Sequence, residues 1–149
     1  MDVTGDQATV FLHQTIPAVG RLGVVVEEFS PGLVRLCVPI EGNGNHFGTM
    51  YAGVLFTLCE LPGGLLPVGV LDPTKYTPIV TELDIRFLAA ARTDVRLEAR
   101  MDPAELQALA EQADREGRAR FTLELHAEDA DGRTVVSSTA HYQLRRNRG

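Results

Sequence analysis

A chain of 149 residues with 44% hydrophobic and 23% charged residues has the length and composition of one globular domain able to bury a real core. Its net charge of −6 and pI near 5.1 exclude a general attraction to nucleic acid or to an anionic membrane surface. The basic residues are spread out, except for Arg145, Arg146 and Arg148, a short run that reads as a solvated tail. Cys37 and Cys59 lie in apolar segments and read as buried thiols of a reducing compartment, not as a disulfide framework. The opening Met1-Asp2-Val3-Thr4-Gly5-Asp6-Gln7 is polar and acidic, unlike a secretory signal. The longest apolar stretch, Ala52 to Leu71, is broken by Glu60, Pro62 and several glycines and is a poor membrane span. A cytoplasmic protein with no membrane and no nucleic-acid partner is the expectation.

In chain order, Asp6 to Ile16 is expected to form a short amphipathic helix presenting Val10 and Phe11, ended by Pro17. Arg21 to Phe29 and Leu33 to Ile40 read as the two arms of a β-hairpin about the turn Ser30-Pro31-Gly32. Glu41 to Tyr51 is a loop in which glycine and asparagine alternate from Gly42 to Asn45. A long helix follows, with Val54, Leu58, Leu61 and Leu65 on one stripe and Gly53, Phe56, Glu60 and Gly64 on another face. Pro62 predicts a kink or break near Glu60, because it lacks an N–H and crowds the carbonyl of Leu58. Thr77 to Ala89 alternates with Ile79, Thr81, Leu83, Ile85 and Phe87 on one side and Val80, Glu82, Asp84 and Arg86 on the other. Arg92 to Met101 is a further strand. Asp102-Pro103-Ala104-Glu105 is a helix start for a segment running to Glu116 and stopped by Gly117. Arg118 to Asp129 and Arg133 to Arg145 are strands joined at Ala130-Asp131-Gly132. Strands that cluster instead of alternating with helices imply an α+β antiparallel sheet packed on one main helix.

The chemistry-bearing stretch is Asn45 to Glu60. Unpaired N–H groups and the positive dipole end meet at the helix start, a place for a developing oxyanion. Glu60 is the one charged residue between Glu41 and Asp72, and such an acid must be solvated, paired or functional. The structural alternatives for Glu60 are an arginine partner or capping of kinked backbone at Pro62. For Asn45 the alternative is an ordinary turn residue. The four histidines, His13, His46, His126 and His141, are scattered without metal spacing, and no nucleophile-elbow or phosphate-binding glycine motif occurs.

The element order and the segment Gly48 to Glu60 resemble the hotdog fold, in which an antiparallel sheet wraps a central helix, and within it the phenylacetate-pathway type of acyl-CoA thioesterase. Asn45 falls on that family's loop asparagine, Tyr51 on its histidine, Ala52 and Gly53 on its glycine pair, and Glu60 on its acid. Tyr51 and Ala52 depart from the usual residues. Pro78 to Leu88 resembles the following core strand, with Thr81 nearest its assisting hydroxyl. The resemblance implies a single hotdog domain over residues 1–149, with residues 1–19 as a helical lead-in and residues 103–116 as a small inserted helix.

It further implies hydrolysis of a small or medium acyl-CoA or related thioester, with no metal and no cofactor beyond the coenzyme A of the substrate. The implied catalytic residues are Glu60 as general base or nucleophile, Asn45 as orienting group, the amide of Ala52 or Gly53 as oxyanion donor, and Thr81. His46, Tyr51, Phe56 and Arg86 are the implied substrate contacts, although Arg86 and Arg92 also read as ordinary surface arginines. The implied assembly is a homodimer or homotetramer with the site at the subunit interface. Two alternatives stand beside this: a hotdog hydroxyacyl thioester dehydratase using His46 and Glu60, and a non-catalytic acyl-CoA-binding dimer.

Overall fold

The computed structural model describes residues 3–149; Met1 and Asp2 of the polar opening lie outside the described residues. Helix α1 (Gly5–Thr15) starts with a capping box between Thr4 and Gln7, and α2 (Pro17–Arg21) takes Pro17 as its first residue. Pro17 therefore ends one helix and begins another. The side of α1 that enters the core is Ala8 and Leu12, while Val10 and Phe11, the expected apolar pair, stay exposed.

Strands β1 (Val25–Ser30), β2 (Leu33–Val38), β3 (Tyr76–Phe87), β4 (Val95–Arg100), β5 (Arg118–Glu128) and β6 (Thr134–Arg146) form one antiparallel sheet in the order β1-β2-β4-β5-β6-β3. The β1–β2 hairpin turns as the sequence predicts. The two edges of the sheet are treated differently. At the β1 edge, α1 supplies side chains: Thr9 Oγ1 accepts the Val26 N–H at 2.8 Å, and His13 Nε2 donates to the Val24 carbonyl at 2.6 Å. The β3 edge pairs with β6 on one side and has no main-chain partner on the other among the described residues.

The long helix crosses the inner face as two segments, α3 (Ala52–Glu60) and α4 (Pro62–Val68), with the break where Pro62 predicts it. Leu61 keeps helical dihedrals between them. The break is in the hydrogen bonding: Pro62 has no N–H to return, and the Gly64 N–H bonds the Leu61 carbonyl at 3.1 Å, three residues back. Val54, Leu58, Leu61 and Leu65 are all buried against the sheet, as their spacing predicts. Helix α5 (Pro103–Glu116) is capped by Asp102, whose carboxylate accepts the Ala104 N–H at 2.8 Å, and closed by Gly117 at φ 84. It is 14 residues long, so the expected small helix is longer than α3 or α4.

A bulge changes the faces of β3. Its register passes from Val80↔Tyr142 to Glu82↔His141, leaving Thr81 as the extra residue. Beyond it Leu83, Ile85 and Phe87 share the inner face with Ala140, Ser138 and Val136. Before it the inward positions are Pro78 and Val80, opposite Leu144 and Tyr142, and Ile79 turns outward. Simple alternation groups Ile79 and Thr81 with Leu83, Ile85 and Phe87 and sets Val80 on the other side; the bulge moves Val80 onto the face of Leu83 and Ile79 off it.

Tyr142 ties the broken helix to the sheet. Its ring stacks on Phe121 at 5.0 Å between centroids, and its hydroxyl donates to the Glu60 carbonyl at 2.9 Å. Gly63 makes room: a Cβ there would lie 2.0 Å from Tyr142 Cε1. Gly63→Ala is expected to lower unfolding free energy by roughly 3 kcal/mol through overpacking, read from the urea midpoint, whereas Gly64→Ala, with open space around it, should fall within about 1 kcal/mol of wild type.

Candidate active site

The loop before α3 is held by two asparagines. Asn45 Oδ1 accepts from the Phe47 N–H at 3.0 Å and from the Thr49 N–H and hydroxyl at 3.1 Å each. Its carbonyl oxygen is thus committed to shaping the loop, and its Nδ2 is left free of hydrogen bonds among the described residues. Asn43 does the anchoring. Buried at 6% exposure, it donates from Nδ2 to the carbonyls of Leu22 at 2.7 Å and Pro39 at 2.8 Å, and its own carbonyl accepts the Tyr51 N–H at 2.9 Å. Sequence reasoning missed it because an asparagine in a Gly/Asn run looks like any turn residue.

With Tyr51 so fixed, α3 begins without a side-chain cap. The Val54 N–H turns back to the Tyr51 carbonyl at 3.0 Å, while the amides of Ala52 and Gly53 donate to nothing among the described residues. Two free N–H groups at the positive end of a helix form a binding point for a developing anion. The Tyr51 ring folds over Gly53, and a Cβ there would come within 2.6 Å of the ring, so a larger residue would push this exposed ring aside.

Glu60 lies two turns along, half-buried, on the same side of α3 as Gly53 and the 43%-exposed Phe56. Its carboxylate has no hydrogen bond or ion pair among the described residues, and burial alone pushes its carboxyl above the ordinary carboxylate value. Neither structural alternative for this residue is realised: no arginine reaches it, and the backbone at the break is served by Tyr142 instead. Burial, together with the nearby Glu60, holds the Tyr142 phenol well above its usual value, so it remains a neutral donor.

Other hydroxyls and thiols near α3 are separable by environment. Burial pushes the Cys59 thiol up to about 11, which removes it as a nucleophile at neutral pH despite its position beside Glu60. Ser138 on β6 stands next to that thiol, its buried Oγ without a hydrogen-bond partner among the described residues. The Thr81 hydroxyl, by contrast, donates to the His141 main-chain carbonyl at 3.2 Å across its own bulge. The sheet hydroxyl beside the helix that is left without a hydrogen bond among the described residues is therefore Ser138, a residue that the sequence hid within a regular alternating strand.

Of the remaining expected contacts, His46 is exposed and packs at a 40° tilt against Phe47, 3.9 Å between ring centroids, with no hydrogen bond to its ring among the described residues. Tyr51 is 60% exposed at the helix start. Arg86 is on the outer face of the sheet, in a groove of about 520 Å³ with Asp84, Glu124 and His126, and so is not brought to Glu60. Arg92 does reach the loop, with Nη1 4.0 Å from where a Cβ on Gly48 would stand.

The raised carboxyl of Glu60 carries a sign. Folding favours its protonated form, so the stability linked to this group is fully present below the unfolded glutamate value near 4.3 and is lost as pH rises through the higher folded value. Glu60→Gln should therefore melt higher than wild type at pH 8, with the difference closing toward pH 4. A lower melting temperature across that whole range would instead mark Glu60 as a structural residue.

Comparison with known proteins places these features in a family. The domain of unknown function DUF4442 matches residues 5–144. A Pseudomonas aeruginosa protein of unknown function, described as a probable thioesterase, is 42% identical, with 99% of each chain covered and a TM-score of 0.91. A Haemophilus influenzae thioesterase shares the fold at 14% identity, with 98% of this chain and 93% of that chain covered and a TM-score of 0.75. A Chlorobaculum tepidum protein of unknown function, at 22% identity, superposes with a TM-score of 0.79 over 97% and 98% of the two chains. No curated protein matches. The chain belongs to the DUF4442 family and has the hotdog fold of the thioesterases it resembles.

Proposed function

We propose that this protein hydrolyses the thioester of a small or medium acyl-CoA, or a closely related thioester, at a site shared between two copies of the chain. The observation that carries the reading is a pair of unused groups on one open helix face: the free Ala52 and Gly53 amides and the unpaired Glu60 carboxylate. The amides would hold the thioester oxygen as it becomes an oxyanion. Glu60, kept basic and poorly solvated by burial, would activate water or attack the carbonyl carbon itself, with thiolate as leaving group. The likeness to a probable thioesterase at 42% identity supports the same chemistry.

Helix geometry then argues for two protomers. Seven residues from Gly53 to Glu60 span ~10 Å of helix rise, too far for both groups to serve one carbonyl within a chain. The 12-residue β3 edge offers unpaired main-chain groups next to this face. Two copies joined antiparallel along β3 would lay their α3 helices side by side in opposite directions, setting Glu60 of one against the helix start of the other. Phe56 and Tyr51 would then line the acyl channel, Asn45 would present its free Nδ2 to water or substrate, and Arg92 is better placed than Arg86 for coenzyme A phosphates. Thr81 has its hydroxyl committed to backbone, and Ser138 takes its place as the hydroxyl beneath the helix. The free buried thiols Cys37 and Cys59 suit a reducing compartment such as the cytoplasm.

A panel of acyl-CoA substrates with free thiol monitored tests the activity. Glu60→Gln should lower thiol release by about 10³-fold with sedimentation unchanged. Ala52→Pro removes one amide at a helix position that tolerates proline and should cost about 10²-fold. Mixed dimers of these two inactive variants should recover activity, because one of their two sites keeps both groups. If both homodimers are inactive and the mixture is as well, the shared-site arrangement is wrong; full activity in Glu60→Gln would remove that residue from the chemistry.

A further inference from the structure

The arginine run near the C-terminus is the one charged feature of the sequence that hydrolysis leaves unused, and strand register gives it neighbours. Arg145 on β6 stands directly opposite Arg118 on β5. Arg120, two residues further along β5 on the same exposed face, stands opposite Gln143. Three guanidinium side chains therefore rise from adjacent positions, ~5 Å apart across the strands and ~7 Å along them.

Like charges directly opposite each other destabilise a sheet. Elsewhere on the outer face the chain interleaves carboxylates: Arg35 pairs with Glu28 and Glu98, Arg96 with Glu27, and Arg100 with Glu98. Among the described residues no carboxylate reaches Arg118, Arg120 or Arg145 within salt-bridge distance, although the chain carries 20 acidic residues against 14 basic ones. Among the described residues the side-chain hydrogen bond they make is to Gln143, whose Oε1 accepts from Arg145 Nε at 3.3 Å. Beside them is a depression of about 380 Å³, lined by Arg120, Gln143, Thr122 and His141, with Glu82 also on its wall. Thr122 Oγ1 and His141 Nδ1 bond each other at 2.9 Å, which orients the imidazole and leaves its Nε2 without a hydrogen bond among the described residues.

We propose that this depression and its arginines bind the phosphoryl groups of a small phosphorylated molecule. Guanidinium forks match phosphate oxygens two at a time, and a ligand of one or two phosphates would relieve the repulsion between Arg118 and Arg145. The site is on the opposite face of the sheet from Glu60, so its occupancy is separable from thioester turnover. A free phosphorylated metabolite and the phosphates of coenzyme A present the same chemistry.

Calorimetric titration of the full chain in phosphate-free buffer tests this, with pyrophosphate, ADP and coenzyme A as probes. Pyrophosphate and ADP should bind and raise the melting temperature. Their affinity should weaken with salt and fall more than tenfold in Arg120→Gln/Arg145→Gln, with Arg100→Gln unchanged. Loss of coenzyme A binding in the double variant would identify its phosphates as the source; retention would assign the site to a separate phosphorylated ligand. Without ligand, Arg118→Gln should melt above wild type, since a repulsion is removed. No binding of pyrophosphate or ADP at millimolar concentration, equal binding by the double variant, or a lowered melting temperature in Arg118→Gln would each overturn the proposal.

Discussion

The absence of an amide hydrogen on Pro62 sets the arrangement of the helix and of the acid it carries. A continuous helix would pair the Glu60 carbonyl with the Gly64 N–H. Here that N–H turns to Leu61 and the Glu60 carbonyl goes to the Tyr142 hydroxyl. The interruption converts an internal helix bond into a bond between helix and sheet, and a buried carbonyl that would otherwise be costly becomes an anchor. Gly63 follows from the same contact, because the Tyr142 ring occupies the space of its side chain. Glu60 is thereby held at a fixed place on the helix by its own main chain, while its carboxylate keeps no partner.

An acid without a partner and amides without acceptors are both unfavourable in a finished protein, and both occur on the one helix face that the sheet leaves uncovered. The sheet repeats the pattern. Its β1 edge is satisfied by Thr9 and His13 from α1, and its β3 edge is left open. Leaving these groups unused in the same region is what the proposed shared site would require, since a second copy of the chain supplies the missing covering. A monomeric structural domain would gain from an apolar or paired residue at position 60 and from a capped helix at position 51.

Much of the fold is legible from local chemistry. The leucine stripe of α3 and α4, the Asp102-Pro103 start and Gly117 stop of α5, and the turns at Pro31-Gly32 and Gly132 are short-range signals, and each element lies where its residues place it. The candidate site was legible only in outline. Glu60 stands out as a lone acid, and Asn45, Ala52 and Gly53 through the family resemblance, but the residues that set them in place, Asn43, Gly63 and Tyr142, are ordinary members of a loop, a glycine pair and a strand. Thr81 illustrates the difficulty in the other direction: a single bulge residue reverses the faces of β3, and nothing in the alternation of Ile79 to Phe87 marks where it falls.

The sequence by itself determined the element types and their order, because helix caps, turn residues and hydrophobic periods act over a few positions. It also determined that Glu60 would be an acid among apolar residues. Only the tertiary structure decided that this acid is unpaired, that the Glu60 carbonyl at the break is taken by Tyr142, and that Arg118, Arg120 and Arg145 share one patch. Those outcomes depend on strand register and on contacts between residues far apart in the chain, where a shift of one position exchanges one face of the sheet for the other.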